Sequence, residues 1–205
     1  MAEGWSVKQV PAVGWPDVTS GELALIQRCA VGDEYACAEL VGQHERLVYE
    51  LAFHLLGDHD EALDLSQEVF LRVFRTIHGF RAQSSLRTWI FRIVVNQARN
   101  RQRWWRRRRR ADQVSLDDHI RANGEPASPP HGSSPDRLLR QKEVAARLWH
   151  ALESLPFDQK TAMVLREIDG LSYEEIAFSL GVAVGTVKSR LARARESLRA
   201  QLRGV

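Results

Sequence analysis

Residues 172–198 read SYEEIAFSLGVAVGTVKSRLARARESL. Ser172 followed by Glu175 forms a capping box, so a helix starts at Tyr173 and Gly181 stops it. Ala177 is small where two helices cross, Gly181 four residues on supplies the turn, and Val187 six beyond that packs the second helix back. This is the spacing of a helix-turn-helix. On the second helix, expected from Val184 to Leu202, Val187, Leu191, Ala194 and Leu198 make an inward stripe. Thr186, Lys188, Ser189, Arg190, Arg193, Arg195 and Arg199 cover the remainder. N-terminal residues of such a helix reach base edges while flanking cations hold phosphates. Without the turn in front of it, the same pattern would describe a basic amphipathic surface helix.

A second stretch concentrates the positive charge. Arg81 to Ala111, RAQSSLRTWIFRIVVNQARNRQRWWRRRRRA, holds eleven arginines and no Asp or Glu, beside Trp89, Phe91, Trp104 and Trp105. The chain as a whole is only +3, so the other residues carry 18 basic against 26 acidic side chains, a net of −8. Cations beside stackable rings suit a polyanion with bases. On a helix starting at Leu86, Trp89, Ile90, Ile93, Val94 and Ala98 fall in one broad apolar arc. Arg92, Asn96, Arg99 and Arg103, spaced i, i+4, i+7, i+11, form a stripe on the other side. Arginine serves phosphates with a fork, and one Asn among them offers both a donor and an acceptor to a base edge. A solvated basic face ending in a disordered tail is the plainer alternative.

Working outward, residues 1–18, with Gly4, Pro11, Gly14 and Pro16, read as a flexible tail. Thr19 with Glu22 is a capping box opening a helix of about ten residues, stopped by Gly32. Asp33 caps a helix that ends at Gly57, and Asp58 opens another from about Glu61 to Ile77. On that third helix Ala62, Leu65, Val69, Phe70, Val73, Phe74 and Ile77 share one half. Glu61, Asp64 and Glu68, with Gln67 nearby, line the other, as either a soluble surface or a docking face for a basic partner. His78–Ser85 is a short loop into the arginine helix. From Asp112 to Pro135 the apolar period disappears in a Pro-, Gly- and Ser-rich, mildly acidic linker. Beyond it, one helix is broken by Pro156 and another, capped by Asp158, closes at Gly170. No β-period appears, so the expectation is an all-α chain of two small helical domains, 19–111 and 136–205, joined by a flexible linker at 112–135.

Composition excludes several classes. Cys29 and Cys37 form no CxxC, and the seven His residues, His54 and His59 among them, make no HExxH, so neither a metal site nor a disulfide framework is expected. No nucleotide-binding loop or nucleophile arrangement points to an enzyme, and no cofactor is expected. No apolar run reaches membrane-spanning length and the N-terminus has no leader pattern, which predicts a cytoplasmic protein with no membrane insertion of its own.

Three strings in order, DLSQEVFLRVFRTI at 64–77, FRAQSSLRTWIFRIVVNQARN at 80–100 and ESLPFDQKTAMVLREIDGLSYEEIAFSLGVAVGTVKSRLARARESL at 153–198, strongly resemble bacterial sigma factors of the extracytoplasmic-function class (group 4). This compact class has only the second and fourth sigma domains. The resemblance implies a promoter-specificity subunit, not an enzyme. The DxxQExF residues Asp64, Gln67, Glu68 and Phe70 would dock core RNA polymerase. Arg81, Ser84, Ser85, Arg92, Asn96, Arg99 and Arg103 would serve the −10 element, where a flipped base needs a pocket and nearby cations. Thr186, Lys188, Ser189, Arg190 and Arg193 would serve the −35 element. The resemblance also implies an anti-sigma factor as a partner beside core polymerase and promoter DNA. The run Trp104 to Arg110 is heavier in Arg and Trp than the family motif, and suits either upstream-duplex contact or a nonspecific clamp. Two rivals are an ordinary helix-turn-helix regulator with a sensing N-terminal domain and a nucleic-acid-coating protein using the Arg-Trp run.

Overall fold

The computed structural model describes residues 18–112 and 135–203. Of the expected tail and linker, residues 1–17 and 113–134 lie outside them. The described residues contain eight α-helices and no strand: α1 (Ser20–Ala30), α2 (Glu34–Leu56), α3 (His59–Thr76), α4 (Leu86–Asp112), α5 (Pro135–Ser154), α6 (Phe157–Met163), α7 (Tyr173–Leu180) and α8 (Val184–Leu202).

Local chemistry sets most of these boundaries. Thr19 Oγ1 accepts from the Glu22 amide at 3.2 Å. Asp33 Oδ1 accepts from the Ala36 amide at 3.1 Å, while its Oδ2 holds Arg28 Nε at 2.7 Å across the α1–α2 turn. Asp58 accepts from the Glu61 amide at 3.0 Å, so α3 starts two residues before the expected Glu61. Beyond Thr76 the chain tightens into a 3₁₀ turn, Ile77–Gly79. At Gly57 the backbone is left-handed, φ 73°, and a Cβ would fall 2.5 Å from Glu153 Oε1, so this helix end is closed to any residue with a side chain.

The α2, α3 and α4 helices pack together around Leu40, Val48, Leu51, Leu65, Val69, Val73, Ile90, Val94 and Ala98. A buried aliphatic side chain of this kind contributes about 1.5–3 kcal/mol, so the apolar face rather than helix propensity holds each element. In the second module Leu165, Leu171, Ile176, Val187, Leu191 and Ala194 fill the space between α6, α7 and α8.

Two expectations need correction. Asp158 does not cap α6: the capping position is Pro156, with no side-chain hydrogen bond, and Asp158 sits in the first turn with its carboxylate turned to two arginines. The helix also fails to run uniformly to Gly170. It widens into a π turn over Val164–Ile168, and the Asp169 amide reaches the Val164 carbonyl at 3.1 Å.

The two modules pack on each other, with α7 against α4 and α6 against α2, and one continuous buried apolar cluster runs through both. Trp149 of α5 stacks on His54 of α2 at 5.1 Å and meets Phe53 edge-on at 6.5 Å. This changes the burial pattern of α4. The fully buried positions are Leu86, Thr88, Ile90, Phe91, Val94, Val95 and Ala98, whereas Trp89 and Ile93 are only half-buried. A helix covered by α2 and α3 on one side and α7 on another buries more than the single arc that periodicity counts.

Candidate polymerase-docking and nucleic-acid surfaces

The outer face of α3 is exposed at Asp64, Gln67 and Glu68. Leu63 and Leu71, 43% and 56% exposed, share it, so the face is apolar as well as acidic. The wheel assigned neither leucine to it, although their i, i+8 spacing about Gln67 was a usable signal. Phe70 belongs to the interior: it is buried beside Phe74, with ring centroids 6.4 Å apart, and supports the face from behind. Arg101 reaches this face from α4. Its Nη1 meets Glu61 Oε2 at 2.6 Å and donates to the Glu61 carbonyl at 3.0 Å, and its Nη2 meets Glu68 Oε1 at 2.7 Å. One fork thus ties the acidic stripe to the arginine helix.

At the start of α4, the loop packs Phe80 edge-on against Trp89 at 5.6 Å, and Ala82 takes a left-handed φ of 52°. Ser84 is buried and donates to the Ser85 carbonyl at 3.2 Å. Ser85 Oγ accepts from the Thr88 amide at 3.1 Å, so both serines brace the helix start. Arg81 beside them is exposed.

The arginine stripe is divided. Asn96 is half-buried and Arg103 exposed, and Arg103 lines an open cleft of about 480 Å³ with Asn100, Arg106 and Arg107. Arg92 and Arg99 face the second module instead. The Arg92 guanidinium lies 5.0 Å over the Phe178 ring of α7, and burial pulls its pKa down. Arg99 Nη2 lies 3.3 Å from Asp158 Oδ1 and its guanidinium 5.9 Å over the Phe157 ring. On the recognition helix, Lys188, Ser189 and Arg193 are exposed and Thr186 half-buried. Lys188 Nζ sits 5.8 Å over Tyr173, which is in turn covered by Arg166 at 4.9 Å. Arg190 turns away from this surface to Asp158 Oδ2 at 2.7 Å. The α7–α8 turn in front of it is built as its spacing predicts: both halves of the Ser172–Glu175 capping box form and Gly181 is left-handed, φ 66°.

Among the described residues no group of His, Cys, Asp and Glu is arranged to hold a metal, and no helix is long and apolar enough to cross a membrane. Cys29 is buried, and burial pushes its thiol up to about 11, which suits a core residue.

These surfaces coincide with two family models, Sigma-70 region 2 over residues 40–111 and Sigma-70 region 4 over residues 145–198. The chain is 36% identical over 174 residues to the RNA polymerase sigma-H factor of Pseudomonas aeruginosa, covering 85% of this chain and 90% of that one. It is also 36% identical to the ECF RNA polymerase sigma-E factor of Escherichia coli K12, with the same coverages. The chain belongs to the extracytoplasmic-function sigma factors. It is therefore a promoter-recognition sigma factor for RNA polymerase. Of the solved structures, the sigma factor RpoE of Bartonella quintana, in complex with the anti-sigma factor NepR, matches with a TM-score of 0.65 at 27% identity, over 82% of this chain and 96% of that one. CnrH, solved with the cytosolic domain of CnrY, shares the fold, with a TM-score of 0.61 at 24% identity over 88% and 96%.

Sequence reasoning about this sigma factor missed Arg87, Thr88, Arg101, Asp158 and Phe178. Arg87 Nη2 donates to the Asp169 carbonyl at 3.0 Å, Thr88 Oγ1 donates to Glu175 at 3.3 Å, and Ser179 Oγ donates to the Thr88 carbonyl at 3.4 Å. Each partner lies 80 or more residues away along the chain. No local pattern carries such a pairing.

Proposed function

We infer that this chain is a two-module (group 4) sigma factor that binds core RNA polymerase, recognises the −10 and −35 promoter elements and helps melt the promoter. It performs no catalysis of its own. The observation that carries this reading is the recognition helix: Lys188, Ser189 and Arg193 stand exposed together behind a fully capped helix-turn-helix turn. Two basic side chains and a hydroxyl at that position suit major-groove edges and phosphates. The first module, 19–111, docks polymerase through Asp64, Gln67 and Glu68 with Leu63 and Leu71 beside them. Asn96, with Arg81 and Arg103, serves the single strand of the −10 element. Ser84 and Ser85 act there by holding the loop, and Arg92 and Arg99 once they are uncovered. The second module, 136–205, serves the −35 duplex, with Thr186 and Arg190 flanking the reading residues.

A sigma factor acts where the polymerase and chromosome are, in the cytoplasm. Because the Bartonella relative was solved with an anti-sigma factor, an anti-sigma partner belongs to the proposal. Size-exclusion chromatography with bacterial core RNA polymerase tests the reading. Wild-type protein co-elutes and an Asp64→Arg variant of unchanged circular dichroism does not. Failure of the folded wild type to associate would return the chain to the simple helix-turn-helix regulators.

A further inference from the structure

The module interface is made from the groups that the proposed function assigns to DNA. Arg92 and Arg99 belong to the −10 stripe, and Arg190 to the −35 helix. All three are directed into the contact between modules, onto Phe178, onto Asp158 and Phe157, and onto Asp158 respectively. Asp158 is the shared partner. One of its carboxylate oxygens faces Arg99 at 3.3 Å and the other faces Arg190 at 2.7 Å. The two guanidinium side chains are only 21% and 19% exposed, so phosphate cannot approach them while the modules are closed.

Around this latch the contact is continuous. Thr88 receives Ser179 and donates to Glu175, Arg87 donates to the Asp169 carbonyl, and Lys160 Nζ reaches the Leu55 carbonyl at 3.4 Å across the α2–α6 contact. A carboxylate placed between two arginines occupies their forks much as a backbone phosphate would.

We propose that Asp158 is an internal phosphate mimic that latches the two modules together, withholding Arg92, Arg99 and Arg190 from DNA until binding to polymerase separates them. The proposal rests on the promoter-binding reading above and adds the regulation of that same surface. The device is bistable: the open form binds DNA and the closed form does not, so the apparent affinity of the free protein is its intrinsic affinity reduced by the open fraction. Asn96, Arg103, Lys188, Ser189 and Arg193 lie outside the latch, so the free protein keeps weak, incomplete contacts rather than none.

The test uses the full chain without polymerase. Wild type, Asp158→Asn, the charge-neutral Phe178→Ala, and Glu45→Gln are compared. Glu45 is exposed on α2, away from the interface, and its change alters net charge as Asp158→Asn does. Small-angle scattering reads the radius of gyration, and fluorescence anisotropy reads binding to a random-sequence 30-nucleotide single strand carrying fluorescein. Both interface variants, with unchanged helical content, give a larger radius of gyration and bind the strand about fivefold tighter than wild type. Glu45→Gln does neither.

Three results would overturn the latch: a wild type already as extended as the variants, interface variants no different from wild type in both readouts, or Glu45→Gln tightening binding as much as Asp158→Asn. Co-elution of wild type with core polymerase, run in parallel, separates the two claims. A protein that co-elutes but shows no latch refutes this inference alone, whereas a protein that fails to co-elute refutes the sigma reading whatever the latch does.

Discussion

Replacing Arg101 with methionine removes a guanidinium and keeps most of the apolar stem that carries it. The Arg101 side chain is only 17% exposed and makes three contacts: Glu61 Oε2 at 2.6 Å, the Glu61 carbonyl at 3.0 Å and Glu68 Oε1 at 2.7 Å. Its two arms differ in value because their carboxylates differ in exposure. Glu68 is half exposed, so that arm contributes about 0.5 kcal/mol, as surface pairs do. Glu61 is 35% exposed and engaged through both its side chain and its carbonyl, so that arm contributes about 1.5 kcal/mol. Arg101→Met should therefore destabilise the protein by about 2 kcal/mol.

Urea unfolding followed by circular dichroism reads this as a midpoint lower by about 1 M, for a slope of about 2 kcal/mol per M that the variant leaves unchanged. A double-mutant cycle with Glu61→Gln should return about 1 kcal/mol of coupling, and the cycle with Glu68→Gln less than that. A loss under about 0.3 kcal/mol would refute the reasoning, because it would mean that the fork contributes nothing beyond its stem. Full stability in Arg101→Lys would do the same, since an ammonium cannot span two carboxylates as a fork does.

Two further outcomes follow from the same geometry. Burial pushes the Asp169 carboxyl up to about 6, against the lowering pull of Arg87, and its Oδ2 has no hydrogen-bond partner among the described residues. A carboxyl whose folded pKa lies above its unfolded value stabilises the fold below about pH 4 and loses that contribution as pH rises through about 6. Asp169→Asn should therefore gain about 1–2 kcal/mol over wild type between pH 4 and 7, after allowance for partial solvent screening, and a pH-independent difference between the two would count against it. Asn96→Ala should slow open-complex formation about tenfold, on a promoter selected with the wild-type holoenzyme, while leaving core association intact. Permanganate reactivity of the −10 thymines reads the first and co-elution the second, and equal loss of both would remove Asn96 from strand recognition.

The caps and stops of this chain were legible because their chemistry is short-ranged. Asp33, Asp58 and Ser172 each accept from an amide three residues on, and Gly57 and Gly181 take the left-handed conformation that ends a helix. The exposure of Lys188, Ser189 and Arg193 was legible in the same way, since Val187, Leu191, Ala194 and Leu198 left them no other side. Asp158 misled for a related reason. An acidic residue just after a proline reads as a cap, and only the approach of Arg99 and Arg190 explains why its carboxylate turns elsewhere. Phe70 shows the opposite failure, a motif residue expected at the docking face that lies beneath it.

By itself the sequence determined an all-α chain with a helix-turn-helix near its end, an arginine helix before it and an acidic helix before that. Periodicity, caps and charge act within a few residues, and each survives being read one helix at a time. Only the tertiary structure decided which polar side chains face solvent and which face the other module. That choice is invisible to periodicity, because the module interface seats Thr88, Arg92, Arg99, Asp158, Ser179 and Arg190 where a wheel assigns water. A guanidinium buried on a carboxylate and one waiting for a phosphate have the same sequence; their partner, tens of residues away, tells them apart.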